Sequence, residues 1–133
     1  MLRFLARFSD VTYLALRVVA GLLFAQHGAQ KLFGVLGGKP VELLSIYGLA
    51  GVIELAGGVM IALGVLTAPV AFICAGQMAV AYFWRHAPRG LWPVQNGGEL
   101  AALYCFLWLY FSAAGPGPWS LDALRHRPKP AAR

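Results

Sequence analysis

Hydrophobic residues fall into four long runs, separated by short stretches in which glycine, proline and charged residues concentrate. We predict membrane-spanning helices over residues 11–33, 45–66, 68–84 and 98–114. Each run approaches the ~20 residues that a helix needs to cross a ~30 Å hydrocarbon core, although the third and fourth are slightly short. The pattern therefore predicts an all-α protein, a membrane four-helix bundle, formed by one domain over residues 1–122.

The breaks between the runs contain residues that end or begin helices. Glycine and proline at 37–40 interrupt the chain after the first run, and Pro69 is suited to the first turn of the third helix. A longer loop is predicted over residues 88–97, and the Gly-Pro-Gly-Pro sequence at 115–118 ends the fourth helix. The first run has no cleavage motif after its basic start, so we expect it to stay as a membrane anchor.

Composition narrows the class of protein. The chain is 59% hydrophobic and 12% charged, whereas soluble domains are about 45–50% apolar and about 25% charged. A small domain cannot cover so much apolar surface with its own polar residues, so a lipid bilayer is the predicted partner. The net charge of +6 does not indicate nucleic-acid binding, because the basic residues lie between the apolar runs and at the two ends.

An even number of spans places both termini on one side of the membrane. Six basic residues then share the side of the termini: Arg3, Arg7, Arg125, Arg127, Lys129 and Arg133. Four lie on the opposite side: Lys31, Lys39, Arg85 and Arg89. Because positive residues favour the cytoplasmic side, we predict cytoplasmic termini, with residues 123–133 as a basic cytoplasmic tail. Arg17 is expected to extend its side chain toward the same surface.

Most polar residues within or beside the runs fall at one depth. Counting ~1.5 Å per residue along each helix places them in the leaflet opposite the termini, with Gln77 just past the middle of the third run. The predicted polar cluster comprises His27, Lys31, Glu54, Arg85, Asn96 and Glu99. Since ionisable groups are costly in lipid, this concentration indicates that they face one another inside the bundle.

The helix faces agree with that arrangement. His27 and Lys31 are four residues apart and share one side of the first helix. Glu54 shares one stripe of the second helix with three small residues, Ala50, Gly58 and Ala62. A neighbouring helix can approach such a stripe closely, so Glu54 is expected to point into the bundle. Lys31 and Arg85 are its expected cationic partners, followed by His27.

These residues belong to motifs that resemble the DoxX-like membrane proteins, with their relatives DoxD and MauE. The first helix carries Arg17-x-x-x-Gly21-x-x-Phe24-x-x-His27-Gly28-x-x-Lys31-Leu32-Phe33. The second carries Glu54-Leu55-x-Gly57-Gly58-x-x-x-x-Leu63-Gly64. The fourth opens with Asn96-Gly97-Gly98-Glu99-Leu100-Ala101, and the last motif is Gly115-x-Gly117-x-Trp119-Ser120-Leu121-Asp122. Their order and spacing cover most of the chain.

The resemblance implies a four-helix protein of the bacterial inner membrane in a redox setting. Relatives are described as subunits of a thiosulfate:quinone oxidoreductase or as partners in membrane oxidoreductase complexes, and MauE-like relatives as maturation factors. We therefore predict a subunit of, or an accessory to, a quinone-linked membrane redox process, with a redox-protein partner or a homo-oligomer. A membrane scaffold or maturation factor is the alternative, and a small-molecule transporter is a third.

The predicted polar cluster has two interpretations. In the first, it lines a pocket for a quinone head group, whose carbonyls need hydrogen-bond donors and whose reduction needs proton carriers. In the second, the same charges form an ion-pair network that fixes four helix ends. Ionisable residues within membrane spans usually mark functional sites, which supports the first interpretation, yet the sequence leaves both interpretations open.

Other chemistries have weaker signals. A metal site would draw on His27, Glu54 and Glu99, but one histidine without a spaced ligand motif does not define one, and we predict none. Haem would need axial ligands, and His27 is the one histidine that falls within a predicted span. Cys74 and Cys105 differ in depth by roughly 10 Å, beyond the ~7 Å Cα separation that a disulfide allows. Both are expected to act as small core residues.

Overall fold

The structure is a computed structural model that describes residues 2–126 of the 133-residue chain, with side chains from Phe4 onward. Its α-helices are α1 (Leu2–Ala6), α2 (Ser9–Phe33), α3 (Ile46–Leu63), α4 (Thr67–Ala81), α5 (Pro93–Asn96), α6 (Glu99–Ala114) and α7 (Leu121–Arg125). The described part of the chain contains no strand, and the predicted all-α membrane fold is confirmed.

Three helical stretches are long and apolar enough to cross a membrane. They are α2 with 25 residues, α3 with 18, and the 23 residues from Thr67 to Arg89. The last stretch is α4 continued by a π-helical turn (Tyr82–His86) and a 3-10 turn (Ala87–Arg89), so it extends past the predicted end at residue 84. The fourth, α6, is apolar but shorter, with 16 residues or about 24 Å of helix.

Glycines allow α2 and α3 to pack backbone against backbone. A Cβ atom at Gly21 would lie 2.6 Å from the Gly58 oxygen and 2.8 Å from the Ala62 nitrogen. A Cβ at Gly28 would overlap the Leu55 nitrogen and lie 2.6 Å from the Gly51 oxygen. The small-residue stripe of α3 therefore packs against α2, as the sequence predicts, and this close contact is what turns Glu54 inward.

An aromatic core joins α2 to α6 across the bundle. The Phe24 ring lies 5.1 Å from the rings of both Tyr104 and Trp108, in the range favoured by aromatic pairs. Trp108 and Phe111 are fully buried, and Phe111 packs edge-on against Tyr13 at 5.2 Å. Two antiparallel pairs, α2 with α3 and α4 with α6, thus form one four-helix bundle.

The two cysteines are small packing residues, as expected. Both thiols are free; Cys74 is fully buried and Cys105 is half-buried. A Cβ atom at Gly57 would lie 2.5 Å from the Cys74 sulfur, so α3 and α4 meet closely at this point.

Arg17 does not extend to the membrane surface, and that prediction was wrong. Its side chain is 2% exposed, and its guanidinium donates hydrogen bonds to the carbonyl oxygens of Pro116 and, at 2.7 Å, Trp119. Tyr13, one turn earlier, donates to the Gly115 oxygen. The segment after α6 folds back over α2. Its backbone carbonyl oxygens accept the hydrogen bonds of Arg17 inside the protein, in place of water at the membrane surface.

The same segment is also tied to the turn between α3 and α4. The Asp122 carboxylate accepts from the backbone N–H groups of Leu66 at 3.0 Å and Thr67 at 3.1 Å, where α4 begins. The Asp122 N–H in turn donates to the Gly64 oxygen at 2.9 Å. We call this part of the molecule the Arg17 end. The predicted basic tail starts within α7, and its residues 127–133 lie outside the described residues.

Candidate functional site

A cavity of about 640 Å³ lies at the opposite end of the bundle, where α2 and α4 end and α3 and α6 begin. We call this the cavity end. Its walls are mainly apolar, with Phe24, Ile53, Met78 and Tyr104 among them. Seven polar or charged side chains also line it: His27, Lys31, Glu54, Gln77, Arg85, His86 and Arg89. Ligand pockets typically have volumes of about 300–1,000 Å³ and this kind of mixed lining.

Glu54 is the buried centre of this cavity. Its side chain is 2% exposed, and its Oε1 atom accepts from the Lys31 ammonium at 2.5 Å and from the Gln77 amide at 2.9 Å. The expected ion pair with Lys31 is therefore present. The other carboxylate oxygen, Oε2, is buried and has no hydrogen-bond partner among the described residues. The amide oxygen of Gln77 is likewise buried and has no hydrogen-bond partner among the described residues.

Gln77 was absent from the predicted polar cluster. It lies on α4, two turns and a half before the π-helical turn ends, and bridges to α3 through Glu54. The signal was available: an amide in the interior of an apolar span is costly unless it is paired, which marks it as a residue that faces other polar groups.

Arg85 lies on the cavity wall but does not pair with Glu54. Its guanidinium donates to the Tyr47 hydroxyl at 3.0 Å and lies 5.4 Å from the centre of the Tyr47 ring. The π-helical turn from Tyr82 to His86 carries both Arg85 and His86 to the cavity. Such turns are frequent at functional sites.

Asn96 supports the cavity from behind and does not line it. It is 2% exposed, its amide donates to the Gly90 oxygen at 2.9 Å, and its Oδ1 accepts from the Gly98 N–H at 2.8 Å. A Cβ atom at Gly98 would lie 2.7 Å from the Tyr82 ring and 2.8 Å from the His86 Cβ. Asn96 and Gly98 thus hold the loop before α6 close against the π-helical turn.

The remaining two predicted residues lie in different places. His27 is exposed and lines the cavity, with no hydrogen bond to any other described side chain or backbone group. Glu99 is exposed in the first turn of α6 and does not line the cavity. A carboxylate in that position favours the positive end of the helix dipole, which is a structural role. The structure therefore brings together His27, Lys31, Glu54 and Arg85, but not Glu99.

The cavity end has a basic character. Three of its lining side chains are cationic, Lys31, Arg85 and Arg89, whereas Glu54 is its one carboxylate. No group of three or more histidine, cysteine, aspartate or glutamate side chains that could hold a metal ion occurs within residues 2–126. The cavity thus combines mainly apolar walls with the hydrogen-bonded Lys31–Glu54–Gln77 group.

Comparison with known proteins identifies the family of the chain. The DoxX family model matches residues 12–87, which run from α2 to the end of the π-helical turn and contain Lys31, Glu54 and Gln77. The chain belongs to the DoxX family. The resemblance drawn from the sequence motifs is thereby confirmed.

A relative of this DoxX protein comes from Haemophilus influenzae and carries the name "Uncharacterized protein". The two are 40% identical over 114 residues, which cover 80% of this chain and 85% of the relative. No solved structure matches the chain. DoxX membership and the apolar helices together make this a membrane protein.

Proposed function

We propose that this DoxX protein is a quinone-binding subunit of a membrane redox process. The observation that supports the proposal is a largely apolar cavity of about 640 Å³ in a membrane bundle, with Lys31, Glu54 and Gln77 on its wall. We call the part of the cavity around the buried Glu54, with the Lys31 and Gln77 groups bound to it, the inner end. In this arrangement the ring and tail of a quinone contact the apolar walls. Its carbonyl oxygens accept hydrogen bonds from the Lys31 ammonium and the Gln77 amide.

In this proposal the chain binds and orients the quinone, and a redox-protein partner supplies the electrons. His27 contributes an imidazole at the cavity wall that exchanges protons with the aqueous side. Glu54 holds Lys31 and Gln77 in position through Oε1. The polar groups are thus fixed before the ligand arrives, which reduces the entropy that binding has to overcome.

We further propose that the protein lies in the bacterial inner membrane with cytoplasmic termini. The contact of Tyr13 with Gly115 supports one shared side for the start of α2 and the segment after α6. Fluorescent-protein and alkaline-phosphatase fusions to the C-terminus test the orientation. A fluorescent but phosphatase-inactive fusion is expected, and the reverse pattern contradicts it.

The binding test compares two variants with the same chemical change. Glu54→Gln removes the buried carboxylate of the cavity, whereas Glu42→Gln removes an exposed carboxylate outside it. We expect decylubiquinone to raise the melting temperature of the purified wild type and of Glu42→Gln. Glu54→Gln is expected to bind about tenfold more weakly, because Lys31 loses the carboxylate that holds it in place and one hydrogen bond from a charged donor to the ligand contributes about 1.5–3 kcal/mol. Equal, saturable binding by all three proteins contradicts the role given to Glu54, and no saturable binding by the wild type contradicts the proposed function.

A partner-holding role is the second candidate, and it rests on a different surface. Leu91, Trp92 and Val94, around α5, are 79%, 61% and 74% exposed. Such apolar side chains next to the cavity end suit either the lipid head groups or the apolar face of a membrane partner. A photo-crosslinker at Trp92, used in native membranes, separates the two: one reproducible protein adduct supports a partner, and lipid adducts alone contradict it.

A further inference from the structure

Two side chains at the inner end of the cavity each have an acceptor oxygen that receives no hydrogen bond from the described residues. These are Oε2 of Glu54 and Oε1 of Gln77, both buried and both without a hydrogen-bond partner among the described residues. A carboxylate oxygen and an amide oxygen accept hydrogen bonds and do not donate them. Buried acceptors of this kind nearly always have a partner in folded proteins, because leaving one unpaired costs about 1–3 kcal/mol.

The orientation of the Gln77 amide follows from its contact with Glu54. Its nitrogen donates to Oε1 of Glu54 at 2.9 Å, so its oxygen is directed away from that carboxylate atom. Lys31 binds the same Oε1 atom at 2.5 Å and leaves Oε2 unpaired. Both residues line the cavity. Two unpaired acceptors therefore belong to side chains of the cavity wall, in addition to the ammonium and amide donors already described.

A ligand that donates hydrogen bonds fits these acceptors better than one that only accepts them. A quinone head group presents two carbonyl oxygens, which are acceptors, whereas the corresponding quinol presents two hydroxyl groups, which donate and accept. The quinone ring satisfies the donors of Lys31 and Gln77 but leaves both unpaired oxygens as they are. The quinol ring can satisfy donors and acceptors together.

We infer that the cavity prefers the hydroxyl-bearing, reduced form of its ligand and binds a quinol more tightly than the matching quinone. This inference rests on the proposed function, because it concerns the redox form of the same ligand. It assigns the preference to Oε2 of Glu54 and Oε1 of Gln77. Each tenfold preference for the quinol raises the midpoint potential of the bound two-electron couple by about 30 mV.

The decisive measurement is a pair of dissociation constants for the purified wild-type protein under anaerobic conditions. Decylubiquinol and decylubiquinone are titrated separately by isothermal calorimetry, and we expect the quinol to bind at least tenfold more tightly. A second pair, 4-octylphenol and 4-octylanisole, differs by one O–H group and has no redox chemistry. The phenol is expected to bind more tightly than the anisole, because only the phenol can donate a hydrogen bond to the unpaired oxygens.

The outcomes separate this inference from the proposed function. Equal affinities, or tighter binding of the quinone, overturn the inference and leave the quinone site in place; ordered water on the two oxygens would produce that result. Failure of both the quinol and the quinone to bind overturns the proposed function, and the inference with it.

A variant pair locates the preference. Gln77→Leu removes one of the two acceptors, so the ratio of the two dissociation constants is expected to fall at least threefold. Gln26→Leu is the matched control, since Gln26 is exposed on α2 and does not line the cavity. It should keep the wild-type ratio. A ratio that is unchanged in Gln77→Leu contradicts the assignment to this atom, and the wild-type pair remains decisive if the variant does not fold.

Discussion

Each end of the bundle buries one charged residue, and the two residues differ in their hydrogen-bond partners and in whether they line the main cavity. Arg17 and Glu54 are both 2% exposed. At the Arg17 end, carbonyl oxygens of Pro116 and Trp119 bind the guanidinium, and Arg17 lines neither the cavity of about 640 Å³ nor the smaller one beside Pro116. At the cavity end, Lys31 and Gln77 both bind one oxygen of Glu54, and the other oxygen has no partner within the described chain.

The difference shows how to distinguish a structural charge from a ligand-binding one. A buried charge whose partners all come from the chain, and whose own side chain lines neither cavity, fixes the position of those chain segments; Arg17 is of this kind, although its acceptor Pro116 lines a smaller cavity of about 440 Å³. A buried charge that has an unpaired atom, and whose residue lines a cavity, is a candidate for ligand binding. Arg17 also has one unpaired buried atom, Nε, but Arg17 lines neither of the two cavities, whereas Glu54 and Gln77 line the larger one. An unpaired polar atom therefore indicates a ligand-binding site only where its residue lines a cavity.

The largest expected effect is on the Arg17 end. Arg17→Leu leaves the carbonyl oxygens of Pro116 and Trp119 without donors and frees the segment that they hold. We expect a loss of about 3–5 kcal/mol in the free energy of unfolding, measured by denaturant titration in detergent. Arg125→Leu, an exposed position on α7, should change it by less than about 0.5 kcal/mol. A ligand affinity that falls in the folded fraction of Arg17→Leu would undo the distinction between the two ends.

The next effect concerns the ion pair at the cavity end. Lys31→Met leaves the buried Glu54 carboxylate without its cation, and a buried charge left without a partner costs about 3 kcal/mol; the Lys31 side chain itself is 32% exposed. The double variant Lys31→Met, Glu54→Gln removes both charges and should regain part of that loss. Unfolding free energies of the two single variants and the double variant measure the coupling. Strictly additive losses would show that the pair does not stabilise the bundle.

Two glycines between the ends test where α3 and α4 are closely packed. Gly57→Ala places a methyl group 2.5 Å from the Cys74 sulfur and should destabilise the protein by about 1–3 kcal/mol. Gly76→Ala meets nothing within 4 Å and should stabilise it by about 0.5–1 kcal/mol, because alanine favours helix more than glycine does. Melting temperatures of the two variants that move in the same direction would contradict this account.

The smallest effect is expected at the mouth of the cavity. Tyr47→Phe removes the hydroxyl that accepts from Arg85 at 3.0 Å but keeps the aromatic ring beneath the guanidinium. Both side chains are exposed, so the unfolding free energy should fall by no more than about 0.5 kcal/mol. A loss as large as that in Lys31→Met would mean that the mouth, rather than the inner end, holds the two helix pairs together.

Sequence reasoning recovered what depends on regular helix geometry. Depth counting works along an uninterrupted helix, so it found the Lys31–Glu54 pair and the inward face of α3. It could not foresee the π-helical turn that carries Arg85, whose guanidinium donates to Tyr47 and does not pair with Glu54. It also missed the burial of Arg17, because the acceptors come from a segment about 100 residues away that folds back after α6. Contacts between distant segments depend on turns whose direction is not readable from hydrophobic periodicity.

The most direct test of the central claim is photoaffinity labelling with an azido-quinone in native membranes, followed by peptide mass spectrometry. The account predicts labels on cavity residues such as Tyr47, Ile53 and Gln77, which excess unlabelled decylubiquinone suppresses. Labels confined to outward-facing residues such as Leu103 and Phe106, which are 67% and 71% exposed, and insensitive to competition would contradict it.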